Sequence, residues 1–250
     1  MRQKLVKDNH ILLPKALIKF GEKKYIDLMY EKGEIRFSPS KSFNSNEQNL
    51  INDNYEANAF YKVSNIYYAL LNEDTNTYGT PKKLANETIM RTKNNYVSKI
   101  PFSCYYYSES SVINHLFRID NYDELVDALD EKYDTALIIL NVPEYFERLK
   151  KISNIYFNYV YYVAETPTET EETNHLHFLF YKRINYKNQK EFRIALPDIQ
   201  VENPVNINIG SISDIAFEVP MSKLKNGIIL ATSKEKMNEL INEYGLEIKS

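Results

Sequence analysis

Gln189, Glu191 and Arg193 stand at every second position near the end of the run Phe180–Leu196, a spacing that can carry chemistry. Tyr186, Phe192, Ile194 and Leu196 share the other parity. Period two, with aromatic and β-branched residues on one side, reads as a strand with one buried face. On such a strand Gln189 and Glu191 project side by side, with Arg193 next to them. A carboxylate on a strand interior is held more rigidly than one on a loop, which suits a catalytic group. The plainer reading of the same pattern is the solvated polar face of an edge strand, with Glu191 and Arg193 as a weak surface pair.

Other chemistries find less support. Cys104 is the single cysteine, so neither an intrachain disulfide nor a multi-cysteine zinc site can form. It lies in an apolar stretch and reads as a buried, inert thiol. His175 and His177 are the only closely spaced histidines, and no carboxylate motif accompanies them, so a metal is not expected. With 6 glycines the chain has neither a Walker loop nor a dinucleotide fingerprint. The net charge of −3 gives no global field that draws in nucleic acid or acidic membranes. The first ten residues start basic with no apolar core after them, and no apolar run approaches membrane-spanning length. A cytoplasmic protein is expected.

The positioning elements follow from local pattern. A helix is expected from about Glu22 to Lys32, with Tyr25, Leu28 and Met29 as a core-facing stripe and Gly33 as its C-cap. Residues 34–38 read as a short strand ended by Pro39. Ile35 and Phe37 point to one side, Glu34 and Arg36 to the other. Residues 39–56 form a polar loop carrying Phe43 and Asn44. Residues 57–95 read as an insertion or excursion, exposed from Asn72 to Lys83. Tyr96 to Tyr107 fits two short strands or one bulged edge strand, and Ser108 opens a helix cap.

Farther on, a helix is expected over 122–133 and a buried strand over 136–140. Pro143 opens a further helix. A long aromatic strand is expected over 155–164, with more strands in 205–219 and 227–231. The capping box Thr232-Ser-Lys-Glu235 starts a last helix. Irregular alternation of these elements argues for one α+β domain spanning 1–250 with a mixed or antiparallel sheet, not a doubly wound parallel one.

Three strand-borne segments then stand in order: Arg36 in Glu-Ile-Arg-Phe-Ser, Ser108 after Phe-Ser-Cys-Tyr-Tyr-Tyr, and Gln189-Lys-Glu191. This arrangement resembles the ADP-ribosyltransferase superfamily, whose common pattern is Arg, aromatic-Ser and Gln/Glu-x-Glu on the strands of a split sheet around NAD. The layout also looks like the DarT-type transferases. The same stretches, with Phe43-Asn44, Pro-Phe-Ser-Cys-Tyr and Gln-Lys-Glu-Phe-Arg-Ile, are similar to a large uncharacterised bacterial and phage family. That family carries Phe-Asn-Asp-Pro, Cys-Phe-Ser and Glu-x-Glu-x-Arg motifs.

The resemblance implies NAD as substrate, with Arg36 on its phosphates and Ser108 ordering the site. It implies Glu191 on the nicotinamide ribose, Gln189 orienting an acceptor, and Phe43 or Tyr107 clamping the nicotinamide. The implied setting is phage–host conflict, with a macromolecular acceptor. Two departures stand out: Ser-Asn follows Phe43-Asn44, and a helix precedes the Arg36 strand. Glu169-Thr-Glu171 repeats the Glu-x-Glu pattern in an expected loop.

Two other classes compete. A non-enzymatic protein-binding factor fits the 21 tyrosines, because Tyr offers contact area at low entropy cost. Single-strand nucleic-acid binding through Tyr105–Tyr107 and Tyr156–Tyr162 fits aromatic stacking but not the acidic balance.

Overall fold

The structure is a computed structural model of the chain. It describes residues 13–43, 58–93, 96–107, 116–117, 119, 122–129, 132–164, 175–225, 227–231 and 233–243. The elements are β1 (Leu17–Gly21), α1 (Lys23–Lys32), β2 (Glu34–Pro39), β3 (Asn58–Tyr68), β4 (Leu71–Asn72), β5 (Thr77–Tyr78) and β6 (Lys82–Lys93). There follow β7 (Pro101–Tyr107), β8 (Leu116–Phe117), α2 (Tyr122–Ala128), β9 (Thr135–Ile139), α3 (Val142–Ile152), β10 (Tyr156–Tyr159) and β11 (Tyr161–Val163). The chain continues through β12 (Tyr181–Arg183), β13 (Glu191–Ala195), β14 (Val205–Asn208), β15 (Ala216–Pro220), α4 (Met221–Leu224), β16 (Ile228–Ile229) and α5 (Lys234–Glu243). This is a single α+β domain, as expected.

Among the described residues an eight-stranded sheet runs β10-β13-β7-β1-β9-β15, with β2 also on β7 and β14 on β2. Its pairings are antiparallel. Helices α1 and α3 cover one face: Ile26, Met29, Tyr145, Phe146 and Leu149 pack on Leu17, Leu137, Phe192 and Ile194. Helices α2 and α4 cover part of the other, through Leu125, Met221 and Leu224 on Ile18, Ala136 and Ile138. Covered on both sides, β9 is buried at every residue, which is why 136–139 is a continuous apolar run, while Leu140, expected in the same buried strand, lies past its end and is 39% exposed.

Several elements form where local chemistry puts them. Asn141 caps α3, its side chain accepting from the Glu144 amide at 3.2 Å, with Pro143 in the first turn. Asn141→Ala should cost about 1 kcal/mol in urea unfolding. Gly33 ends α1 with φ +66. Ser233, the second residue of the expected capping box, caps α5 through the Lys236 amide at 3.1 Å.

Other expectations are corrected. Tyr25 is 54% exposed; the buried stripe of α1 is Ile26 and Met29, one position further round the helix. β7 is an interior strand, flanked by β13 on one edge and by β1 and β2 on the other. β1 itself was not foreseen as a strand. The aromatic stretch 155–164 breaks at Val160 into β10 and β11, which join different partners. Residues 58–93 form a long antiparallel ribbon, β3 with β6, that pairs with no other strand among the described residues. Its outer end is exposed throughout 67–84 apart from a half-buried Ala69.

Candidate functional site

One edge of β7 is shared by two strands, and the gap between them makes the site. At one end Tyr107 and Tyr106 pair with Leu17 and Ile18 of β1. At the other Phe102 and Pro101 pair with Ser38 and Pro39 of β2. Between these pairings the sheet is split opposite Cys104. Past Ile18, β1 goes on along β9, and before Ser38, β2 lies along β14. The two strands diverge from β7 and leave a cavity of about 980 Å³. That is at the upper end of the usual range for small-molecule sites.

Arg36, Gln189 and Glu191 all line this cavity. Two stretches far apart in sequence therefore meet in one place. Arg36 is exposed, opposite Asn206 of β14, and forms no salt bridge among the described residues. Tyr107 does not line the cavity; its ring packs edge-on against Tyr159 with centroids 4.7 Å apart, in the core under α3. Ser108 and Asn44 lie outside the described residues. Phe43 belongs to a 3-10 turn (Ser40–Phe43), and its side chain also lies outside them.

Glu191 differs from both expectations drawn for it. Its strand is interior and short. Residues 184–189 are a 3-10 helix, and Lys190 turns the chain at φ +39 before β13 starts at Glu191. Gln189 therefore does not share the strand. It reaches the same cavity from the helix end and accepts from Lys182 Nζ at 2.6 Å. The polar face is no solvated surface: Glu191 is 6% exposed, Arg193 0% and Lys182 3%. Phe192 and Ile194 are buried on the opposite face, as the alternation requires.

The three charges form a closed set. Arg193 donates to both Glu191 oxygens, Nε at 2.9 Å and Nη2 at 3.1 Å. Lys182 Nζ lies 2.9 Å from Glu191 Oε2. Arg193 also donates to the Leu179 carbonyl and stacks over Phe102 at 4.7 Å. Burial alone would push the Glu191 carboxyl up, but Arg193 and Lys182 hold it well below the usual carboxylate range. The carboxylate is ionised at every working pH, and two cations outweigh its charge.

Lys19 and Ser103 also line the cavity, and sequence reasoning missed both. Lys19 Nζ donates to the Cys104 carbonyl at 2.7 Å and to Ser103 Oγ at 3.1 Å, and sits 5.0 Å over the Tyr105 ring. Burial lowers its pKa, with Arg36 adding to that, while Cys104 and Glu191 oppose it. The signal was a lone lysine inside the apolar run Ala16–Phe20, legible only once that run is known to be a strand. Cys104 is not sealed in the core: it lines the cavity, and its thiol bonds the Glu191 carboxylate.

His175 and His177 lie on a 3-10 helix, and His177 stacks on Tyr156. No group of three or more His, Cys, Asp or Glu residues able to hold a metal occurs among the described residues. Tyr105 and Tyr106 are buried and cannot stack on a passing strand of bases. Among the described residues no helix is long and apolar enough to cross a membrane. Compared with protein-family models, curated proteins and solved structures, the chain matches none.

Proposed function

We propose that the split cavity binds NAD and that the protein is an ADP-ribosyltransferase or NAD glycohydrolase acting on that substrate. The observation that carries the reading is the meeting of Arg36, Gln189 and Glu191 in one cavity of dinucleotide scale at the split of the sheet. Arg36, with no carboxylate partner among the described residues, is the cation for the phosphates. Breaking the nicotinamide–ribose bond builds positive charge on the ribose, and an ionised carboxylate fixed on a strand stabilises that charge. Glu191 is ionised but neutralised. To serve, one of its oxygens must exchange Lys182 for a ribose hydroxyl, and Gln189 is the group positioned to retain the displaced amine.

The test is nicotinamide release from NAD, with protein and DNA acceptors present. Arg36→Met should cut release by about a hundredfold or more. Its stability should stay within about 0.5 kcal/mol, because the side chain is exposed. Glu191→Gln should abolish release too, but it is a poorer probe, since a buried and doubly paired carboxylate cannot be changed without loss of stability.

Absence of NAD binding by calorimetry would favour a second reading, a non-enzymatic binding protein. The saturated hydrogen bonding of Glu191 favours it, as a carboxylate with both oxygens engaged is also what a structural ion cluster needs. The exposed end of the β3–β6 ribbon, with Leu70 and Tyr78 each 73% exposed, favours it as well.

A further inference from the structure

We propose that Lys19 is a carbonyl-reactive lysine, whose amine in the wall of the split cavity condenses with an aldehyde or ketone that carries an anionic group for Arg36. The geometry carries this. A neutral amine has two N–H donors. Lys19 has two acceptors in place, the Cys104 carbonyl at 2.7 Å and Ser103 Oγ at 3.1 Å. In its neutral form, with both donors taken, the nitrogen has its lone pair left for the cavity that Lys19 lines. The Tyr105 ring under the amine fixes its position.

Burial, rather than the balance of neighbouring charges, favours the neutral form. Burial is the leading cause, and Arg36 on β2 acts in the same direction. Cys104 on β7 and Glu191 on β13 act against it without reversing it, and Glu191 is itself offset by Arg193 and Lys182. Lysines desolvated beside another cation are the ones that form imines.

In the condensation the lone pair of Nζ attacks the carbonyl carbon. A C–N bond forms, and the carbonyl oxygen takes the proton of the Ser103 hydroxyl. Nitrogen returns a proton to Ser103, giving the carbinolamine. Loss of hydroxide as water, with one further proton from nitrogen, leaves the imine. One amine and one carbonyl give one imine and one water, and no oxidant or reductant is needed. Arg36, in the same cavity and bearing no carboxylate partner among the described residues, selects ligands with a phosphate or carboxylate.

The experiment uses the full chain and no NAD, so its outcome is separate from that of the nucleotide reading. Pyridoxal 5′-phosphate is added at pH 7.5, the imine is reduced with borohydride, and adducts are mapped by mass spectrometry after digestion. Each unit by which a lysine pKa falls raises its neutral fraction about tenfold. Lys19, whose pKa burial lowers, should therefore be labelled more heavily than Lys24, whose side chain is 65% exposed. Labelling should fall with Arg36→Met and with pyridoxal lacking the phosphate. Labelling of Lys19 no greater than that of Lys24, or equal with and without the phosphate, would overturn the proposal.

Discussion

Arg193→Met should lower the free energy of unfolding by about 3–5 kcal/mol. The loss comes less from the missing attraction than from what is left behind. Glu191 stays 6% exposed, with one oxygen held only by the cavity-side contacts, and the Leu179 carbonyl loses its donor. A double comparison separates these causes. Replacing Lys182, Glu191 and Arg193 together with apolar residues of similar volume should cost far less than Arg193→Met alone, because no half-satisfied ion pair is then buried. Urea unfolding at pH 7 measures both. A cost under about 1 kcal/mol for Arg193→Met would mean that the cluster is wet.

The same cluster sets an acid limit. The Glu191 carboxyl in the folded chain lies below its ordinary value of 4.5. Its contribution is therefore complete above that value and is lost progressively as pH falls below it toward the folded-state pKa. Stability measured from pH 6 down to pH 2 should fall more steeply for the wild type than for Glu191→Gln.

Gly33→Ala should be nearly as damaging, at about 2–5 kcal/mol, for an unrelated reason. Its φ of +66 costs a residue with a Cβ about 1–2 kcal/mol. A Cβ there would also lie 1.9 Å from the carbonyl oxygen of Gly210, and backbone cannot swing aside as a side chain tip can. Forcing the two segments apart adds about 1–3 kcal/mol. The Ile209 amide bonds the Gly33 carbonyl at 3.1 Å, so the strain falls on the loop after β14. Gly210→Ala is the control. Its φ is +77, but a Cβ there meets nothing within 4 Å, so only the backbone cost of about 1–2 kcal/mol should appear. Equal thermal shifts in the two variants would show that the contact yields.

The sequence pattern carried the elements whose causes are local. Gly33 as a cap, Pro143 in a first turn and the apolar run of β9 each depend on a few adjacent residues, whereas the cap of α5 is Ser233, one residue after the Thr232 expected to open the box. The parity of Ile35 and Phe37 against Glu34 and Arg36 was readable for the same reason. What was hidden depends on partners far away. No such local clue exists for β1, because Leu17–Gly21 is too short and too apolar to show its period until β7 and β9 are beside it. Alternation through 186–191 was misleading, because a 3-10 helix and one positive-φ lysine deliver Gln189 to the place a strand would have put it. Glu191 and Arg193 were legible as a pair but not as a buried one: Lys182, the third charge, joins through an ion pair that sequence spacing does not announce.

The strand order has a consequence for how the protein is made. A ribosome releases β7 before the midpoint of the sequence, with only β1 and β2 available to one of its edges. Its other edge waits for β13, and β9 waits for β15, the last strand of the large sheet. Through most of synthesis the nascent chain therefore exposes apolar strands with open hydrogen-bonding edges. Such strands invite pairing with other nascent chains. Holdase chaperones should matter to the yield of this protein more than its final stability does, and its recovery should depend on the rate of translation between β7 and β13.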